Sequence, residues 1–166
     1  MEEVGCEAKE GRGKMRGEHR QLFLDLSDAQ IMGLCIWAES RGEGMEGRIA
    51  VGSVILNRVD SRKWDGETVH EVIMKPWQFS WLNSLPPQTY TDPQYETCVE
   101  IARDFEAAYH EKPQLFIMLE IARNMLDGTL KRNVPSLEYH TINVKPKWAA
   151  KLEVYKTIDQ HIFYKP

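Results

Sequence analysis

Residues 37–58 read WAESRGEGMEGRIAVGSVILNR. An apolar run stops at a carboxylate, Glu39, passes through Ser-Arg-Gly-Glu, and becomes apolar again. Upstream, Ile31, Leu34, Cys35 and Ala38 recur at i, i+3, i+4 and i+7, one face of a helix. Ser27 with Gln30 three residues later forms a capping box that starts this helix. The helix is expected to end near Ser40, with Gly42 as its breaker. Downstream, a second helix is expected over about Met45 to Val59. Its core set is Ile49, Val51, Val54, Ile55 and Val59, with little polar surface between, which predicts a helix enclosed by other elements. A packed core has no use for a carboxylate at the bend between two such helices, whereas a catalytic cleft does.

Outward from this hairpin, Thr68 and Glu71 form another capping box for a short helix, TVHEVIM, closed by Pro76. The stretch WQFSWLNSLPPQTYT, residues 77–91, has no clean period and reads as a loop or small lobe. Asp92-Pro93 opens a third long helix, Asp as N-cap and Pro at its first position, with Tyr95, Val99, Ala102 and Tyr109 on its apolar face. A fourth helix spans about Gln114 to Leu126 and stops at Asp127-Gly128. The C-terminal region, SLEYHTINVKPKW and LEVYKTIDQHIFYKP, is rich in aromatic and branched residues and predicts strands. The sum is a mostly helical α+β domain over residues 21–166. Residues 1–20 alternate charges and glycines with little to bury, which predicts a flexible N-terminal arm and a candidate docking segment.

The chain has 166 residues, 42% hydrophobic and 28% charged, enough for one domain with a real core. Its net charge of −4 argues against nucleic acid held by bulk electrostatics, since no basic surplus exists to displace counterions. A polysaccharide held by hydrogen bonds and stacking is compatible with it. The cysteines, Cys6, Cys35 and Cys98, are odd in number and lack CxxC spacing, so a buried free thiol is expected at Cys35 rather than a disulfide framework. Apolar runs such as IAVGSVIL, residues 49–56, are too short to insert in a membrane. The N-terminus has no apolar h-region, which predicts a protein without a secretory signal, made in the cytosol. His70-Glu71 is followed by Met74 where HExxH needs a second histidine, so that zinc motif fails and no metal or other cofactor is implied.

A carboxylate withdrawn from water costs free energy when ionised and so keeps its proton to higher pH. That is what a general acid needs to protonate a leaving oxygen near neutrality. Glu39 suits this role: it closes a helix, where the macrodipole disfavours an anion, beside Trp37 and Ala38. The competing role is a surface ion pair with Arg41 or Arg48. Glu43, at the entry to the second helix, is a candidate second acid or a structural carboxylate stabilised there as an anion.

The block IWAESRGEGMEGRIAVGSVILNRV resembles the hallmark segment of the cell-wall hydrolase family of the spore-cortex-lytic type (SleB/CwlJ-like), an AEARGE element followed by EGQxAVAxVxLNR. KWDGETVHEVIMKPWQFSW is similar to the family's V…VI…QFS segment. LEYHTINVKPKWA resembles its tyrosine-containing strand and P-x-W element. IDQHIFYKP resembles the closing G-x-H-x-F signature, with Asp159 where glycine is usual. The likeness runs over about residues 28–164 and weakens over 81–112.

This resemblance implies a lysozyme-like fold and cleavage of the β-1,4 bond between N-acetylmuramic acid and N-acetylglucosamine in peptidoglycan, with the catalytic glutamate falling on Glu39. It favours a lytic transglycosylase, which needs one acid and leaves a 1,6-anhydromuramic end. Hydrolysis would need a second base, Glu43 first. Ser40 matches the Glu-Ser element of transglycosylases and is expected at the cleft. Gln78 and Ser80 are candidates for acetamido groups, Trp77 and Trp81 for stacking on sugar faces, and Tyr139 and His140 for orienting the acid. Against these stand lobe packing for the tryptophans and a structural hydrogen bond for His140. The expected partner is the peptidoglycan glycan strand. A non-catalytic glycan-binding or structural module is the alternative outside catalysis. The absent signal suggests a phage-encoded enzyme, an endolysin released through a holin or a protein carried in the virion, with a bacterial fragment stripped of its signal as the alternative.

Overall fold

A computed structural model describes residues 17–63, 66–85 and 91–166. The helices are α1 (residues 17–25), α2 (Asp28–Ser40), α3 (Met45–Ser61), α4 (Val69–Met74), α5 (Tyr95–Arg103), α6 (Phe105–Glu111) and α7 (Pro113–Leu126). The strands β1 (Tyr139–Thr141), β2 (Val154–Ile158) and β3 (His161–Tyr164) form an antiparallel sheet in the order β1-β3-β2. The domain is therefore mostly helical with a small C-terminal sheet. No helix among the described residues is long and apolar enough to cross a membrane.

Helix α2 is the axis of the molecule. Both halves of its Ser27–Gln30 capping box are formed, and every residue from Ile31 to Ala38 is buried. The one-faced spacing at Ile31, Leu34, Cys35 and Ala38 thus understates its enclosure: α2 is covered on all sides by α3, α4 and α7. Gly33 is what lets α7 approach. A Cβ there would sit 3.0 Å from the Leu119 Cα, a distance real Cβ atoms essentially never reach without movement of the backbone. Helix α3 shows the predicted enclosure, burying Ala50 through Leu56.

Helix α1 is already formed at Gly17, four residues before the expected start of the domain. Its anchors are Phe23 and Leu26, both buried, and a 3.1 Å hydrogen bond between His19 and the Tyr95 hydroxyl. The rest of the expected arm, and Cys6 with it, lies outside the described residues. Cys35 and Cys98 are free and buried. The single helix expected from Asp92 to Tyr109 is two. Asp104 interrupts it, leaving helical geometry at φ −146° and capping α6 through a 3.1 Å bond from the Ala107 amide. Asp92 does not cap α5 as its N-cap residue. It sits two residues before the N-cap, accepting from the Gln94 amide at 2.8 Å in an Asx turn.

The sheet docks on α3 through a second core of Ala50 and Val54 against Val134, Ile158 and Phe163. The polar edge of α3 completes the join. Asn57 Nδ2 donates to the Val134 and Ser136 carbonyls at 3.0 and 2.9 Å, and Arg58 Nε donates to the Leu137 carbonyl at 2.8 Å. These bonds aim the chain that enters β1, and so determine where Tyr139 falls.

Candidate active site

Glu39 is the penultimate residue of α2, half-buried, with its carboxyl group withdrawn from bulk water. The Tyr139 hydroxyl donates to Glu39 Oε2 at 2.9 Å, across 100 residues of chain. Burial is the main force on this carboxyl and raises its pKa from 4.5 to about 7. The Tyr139 hydrogen bond opposes the rise, the negative charge of Asp92 adds to it, and Arg58 and the Ser80 backbone amide favour the anion. The result is a group that holds or releases a proton near neutrality.

The surface ion pair does not form. Arg41 stacks over the Trp37 ring, 4.3 Å from its centroid, and Arg48 donates to the Arg41 carbonyl at 3.1 Å. Glu43 has an occupation of its own. Its Oε2 accepts from the Gln160 amide at 3.0 Å, and its Oε1 lies 3.9 Å from His161 Nδ1, both side chains being nearly inaccessible. Burial holds the His161 imidazole below its usual range, with Glu43 pulling the other way.

Tyr139 is held by aromatic contacts on β1. Its ring stacks on Phe163 at 5.3 Å and meets the edge of His161 at 5.2 Å. His140, the next residue, points to the opposite face of the sheet, as strand alternation requires. There it bonds the Tyr164 hydroxyl at 2.7 Å, stacks on that ring and meets Trp148 edge-on. The expectation that His140 orients the acid is therefore corrected to the structural hydrogen bond that stood against it.

Two further expectations change. Trp81 is 0% exposed and packs edge-on against Phe23, so neither ring face is open to a sugar. Ser40 is buried and donates its hydroxyl to the Ile36 carbonyl at 2.7 Å, one turn back in its own helix. Trp77, by contrast, is 60% exposed and stands in left-handed backbone at φ +64°, an uncommon conformation for a bulky residue. Gln78 is half-buried, its side-chain amide making a long 3.5 Å contact to the Pro76 carbonyl, and Ser80 is exposed. The Trp77–Ser80 segment thus runs from an open indole to the amide beside Glu39.

Arg58 joins the parts from below. Its buried guanidinium lies over the Phe79 ring at 5.4 Å, and its Nη2 is 3.9 Å from Glu138. It ties the loop after α4 to the start of β1 underneath Glu39, a structural role. Asp92, read from the sequence only as a helix cap, is a further buried carboxylate whose charge acts on Glu39. Only tertiary contacts bring it there, and spacing carries no signal of it.

Comparison with known proteins bears on the fold and the family. The catalytic domain of the germination-specific lytic transglycosylase SleB from Bacillus anthracis is similar at a TM-score of 0.55 and 25% identity, over 85% of this chain and 98% of that one. The catalytic domain of the Bacillus cereus SleB protein is similar at 0.53 and 28%, over 83% and 89%. Spore cortex-lytic enzymes of Oceanobacillus iheyensis and Bacillus cereus are 43% and 44% identical over 54 residues, 32% of this chain. The aligned stretch spans 19% and 20% of those proteins' lengths. A sequence model of the Cell Wall Hydrolase family matches residues 42–164, beginning just after Glu39. The chain belongs to the cell wall hydrolase family.

Proposed function

We propose that this protein degrades peptidoglycan by cleaving the bond between N-acetylmuramic acid and N-acetylglucosamine, as a lytic transglycosylase with Glu39 as its single acid. The observation that carries this is the Glu39–Tyr139 pair: a carboxyl raised to about 7 by burial and aimed by a phenol at 2.9 Å. Protonated Glu39 gives its proton to the glycosidic oxygen as the C1–O bond breaks with oxocarbenium character. The resulting carboxylate then takes the proton of the muramic C6 hydroxyl while that oxygen closes on C1. Glu39 ends protonated again, the product carries a 1,6-anhydromuramic end, and no water is consumed. The Tyr139 hydroxyl keeps the carboxyl oriented and stabilises the anion between the steps.

Support for a single acid comes from Glu43, whose Oε2 accepts from the Gln160 amide and whose Oε1 lies 3.9 Å from His161 Nδ1. Trp77 is the open aromatic platform for a sugar face, with Gln78 and Ser80 beside it for acetamido groups. A hydrolytic reading has one observation in its favour, the charge of Asp92 on Glu39, which would make Asp92 rather than Glu43 the second carboxylate. Purified sacculi digested by wild type, Glu39→Gln and Asp92→Asn, with mass spectrometry of the muropeptides, test both. Anhydro products from wild type and Asp92→Asn, and none from Glu39→Gln, are expected. Reducing ends lost in Asp92→Asn would establish hydrolysis. Full activity in Glu39→Gln would overturn the assignment of the acid.

A further inference from the structure

The turn between α2 and α3 and the turn between β2 and β3 hold each other by two bonds of opposite sense. The Gly44 amide, at the N-cap of α3, donates to Asp159 Oδ2 at 2.9 Å. The Gln160 amide donates to Glu43 Oε2 at 3.0 Å. Each turn thus offers the other a carboxylate and an amide. Gly44 has no side chain to cap its own helix, so Asp159 supplies the cap from 115 residues away. Asp159 occupies left-handed backbone at φ +49°, where glycine is the unstrained choice and aspartate is tolerated. Gly47 leaves the room: a Cβ there would lie 3.0 Å from both Asp159 Oδ2 and the Glu43 Cβ.

The latch sits on the shortest path around the candidate site. Glu43 lies in the bend four residues after Glu39, and its amide bonds the Ser40 carbonyl at 3.0 Å. Gln160 leads directly into β3, and its carbonyl accepts from the Ile142 amide at 2.9 Å, just past the end of β1. His161 lies between Glu43, 3.9 Å away, and the Tyr139 ring. Contacts therefore run from Glu39 through Tyr139 and His161 to Glu43, whose amide returns to the Ser40 carbonyl next to Glu39.

We propose that Asp159 is a positioning residue, whose bond to Gly44, with its counterpart from Gln160 to Glu43, fixes the sheet turn so that Tyr139 stays on Glu39. The sheet has other attachments, the apolar seam at Val54 and Phe163 and the bonds from Asn57 and Arg58. Losing the latch leaves the domain folded and loosens the aim of Tyr139. The effect on turnover rests on Glu39 being the acid, but the effect on the Glu39 carboxyl does not.

The test is a ¹³C NMR titration of the glutamate carboxyls in wild type, Asp159→Gly and Asp159→Asn, with Glu39 assigned by its absence in Glu39→Gln. Asp159→Gly removes the carboxylate without backbone strain. The expected result is a rise of the Glu39 midpoint by about half a unit, because the anion loses part of its hydrogen bond from Tyr139. Turnover on sacculi is expected to fall about threefold to tenfold with KM little changed. Asp159→Asn, whose amide oxygen still accepts from Gly44, restores the wild-type midpoint. The sign is diagnostic, since simple removal of a negative charge would lower the Glu39 midpoint rather than raise it. If Asp159→Gly does not fold, Glu43→Ala breaks the other bond and carries the same expectation. A midpoint that is unchanged or falls overturns the proposal, whatever happens to the melting temperature. Sacculi left intact by wild type would count against peptidoglycan cleavage alone, with the midpoints still deciding the latch.

Discussion

Glu39 and Glu43 stand four residues apart, one at the end of α2 and one in the bend after it, and the fold gives them opposite work. Glu43 is met by a backbone amide and an imidazole and ties two turns together. Glu39 is met by a phenol hydroxyl, with burial as the dominant force on its carboxyl. For Glu39 burial outweighs the Tyr139 and Ser80 donors, and a carboxyl so balanced suits a proton that comes and goes. The identity of the partner, rather than sequence spacing, separates a structural carboxylate from a candidate catalytic one.

The widest way to break this contrast is to neutralise each glutamate in turn. Glu39→Gln is expected to lower the rate of muropeptide release about a thousandfold, in the range of a lost general acid. Glu43→Gln, whose amide oxygen still accepts from Gln160, is expected to cost no more than about threefold. Comparable losses in both would dissolve the distinction.

The two tryptophans of the WQFSW segment give a parallel contrast in stability. Trp81→Ala should cost about 3–5 kcal/mol in chemical denaturation, because a fully buried indole leaves a cavity in the main core. Trp77→Ala should leave stability nearly unchanged and instead raise the KM for glycan. A Trp81→Ala protein of normal stability would contradict the packing described.

The raised pKa of Glu39 makes a third difference, visible without substrate. The folded state favours the protonated carboxyl, so no penalty exists below the unfolded value of 4.5; it grows as pH rises from there and levels off above about 7. Glu39→Gln cannot ionise. It should therefore be more stable than wild type by about 3 kcal/mol at about pH 8.5, and show none of that advantage at about pH 4. Equal stability differences at both pH values would mean that Glu39 titrates normally.

A smaller effect sharpens the role of the phenol. Tyr139→Phe keeps the ring packing on Phe163 and removes only the hydroxyl. Turnover should fall about tenfold, and the alkaline limb of the pH–rate profile should move upward, because the Glu39 anion loses its hydrogen-bond donor. A downward shift would mean that Tyr139 favours the protonated form instead.

Much of this arrangement was legible in the chain. Ser27–Gln30 and Thr68–Glu71 set their helices where local side-chain chemistry requires, because a capping box needs only neighbours in sequence. Glu39 stood out because an ionisable group at the edge of an apolar run needs a reason. What stayed hidden depended on distant contacts. The two faces of β1 send Tyr139 to the acid and His140 away from it, but which face is inward is decided by Phe163 and Val54. Trp77 and Trp81 look alike in the sequence, and only the packing of Phe23 from α1 separates them. Asp159 did leave a trace, a charged residue at a position of glycine in the resembling signature, though its partner at Gly44 could not be read from spacing.

The central claim, that one carboxyl performs both proton transfers, is tested most directly by digesting sacculi in H₂¹⁸O and reading the new glycan ends by mass spectrometry. The account predicts anhydromuramic ends without label, since the C6 oxygen of the sugar closes the ring and no water is added. Reducing ends carrying ¹⁸O would show water attacking C1, contradict the single-acid mechanism, and make Asp92 the carboxylate to examine next.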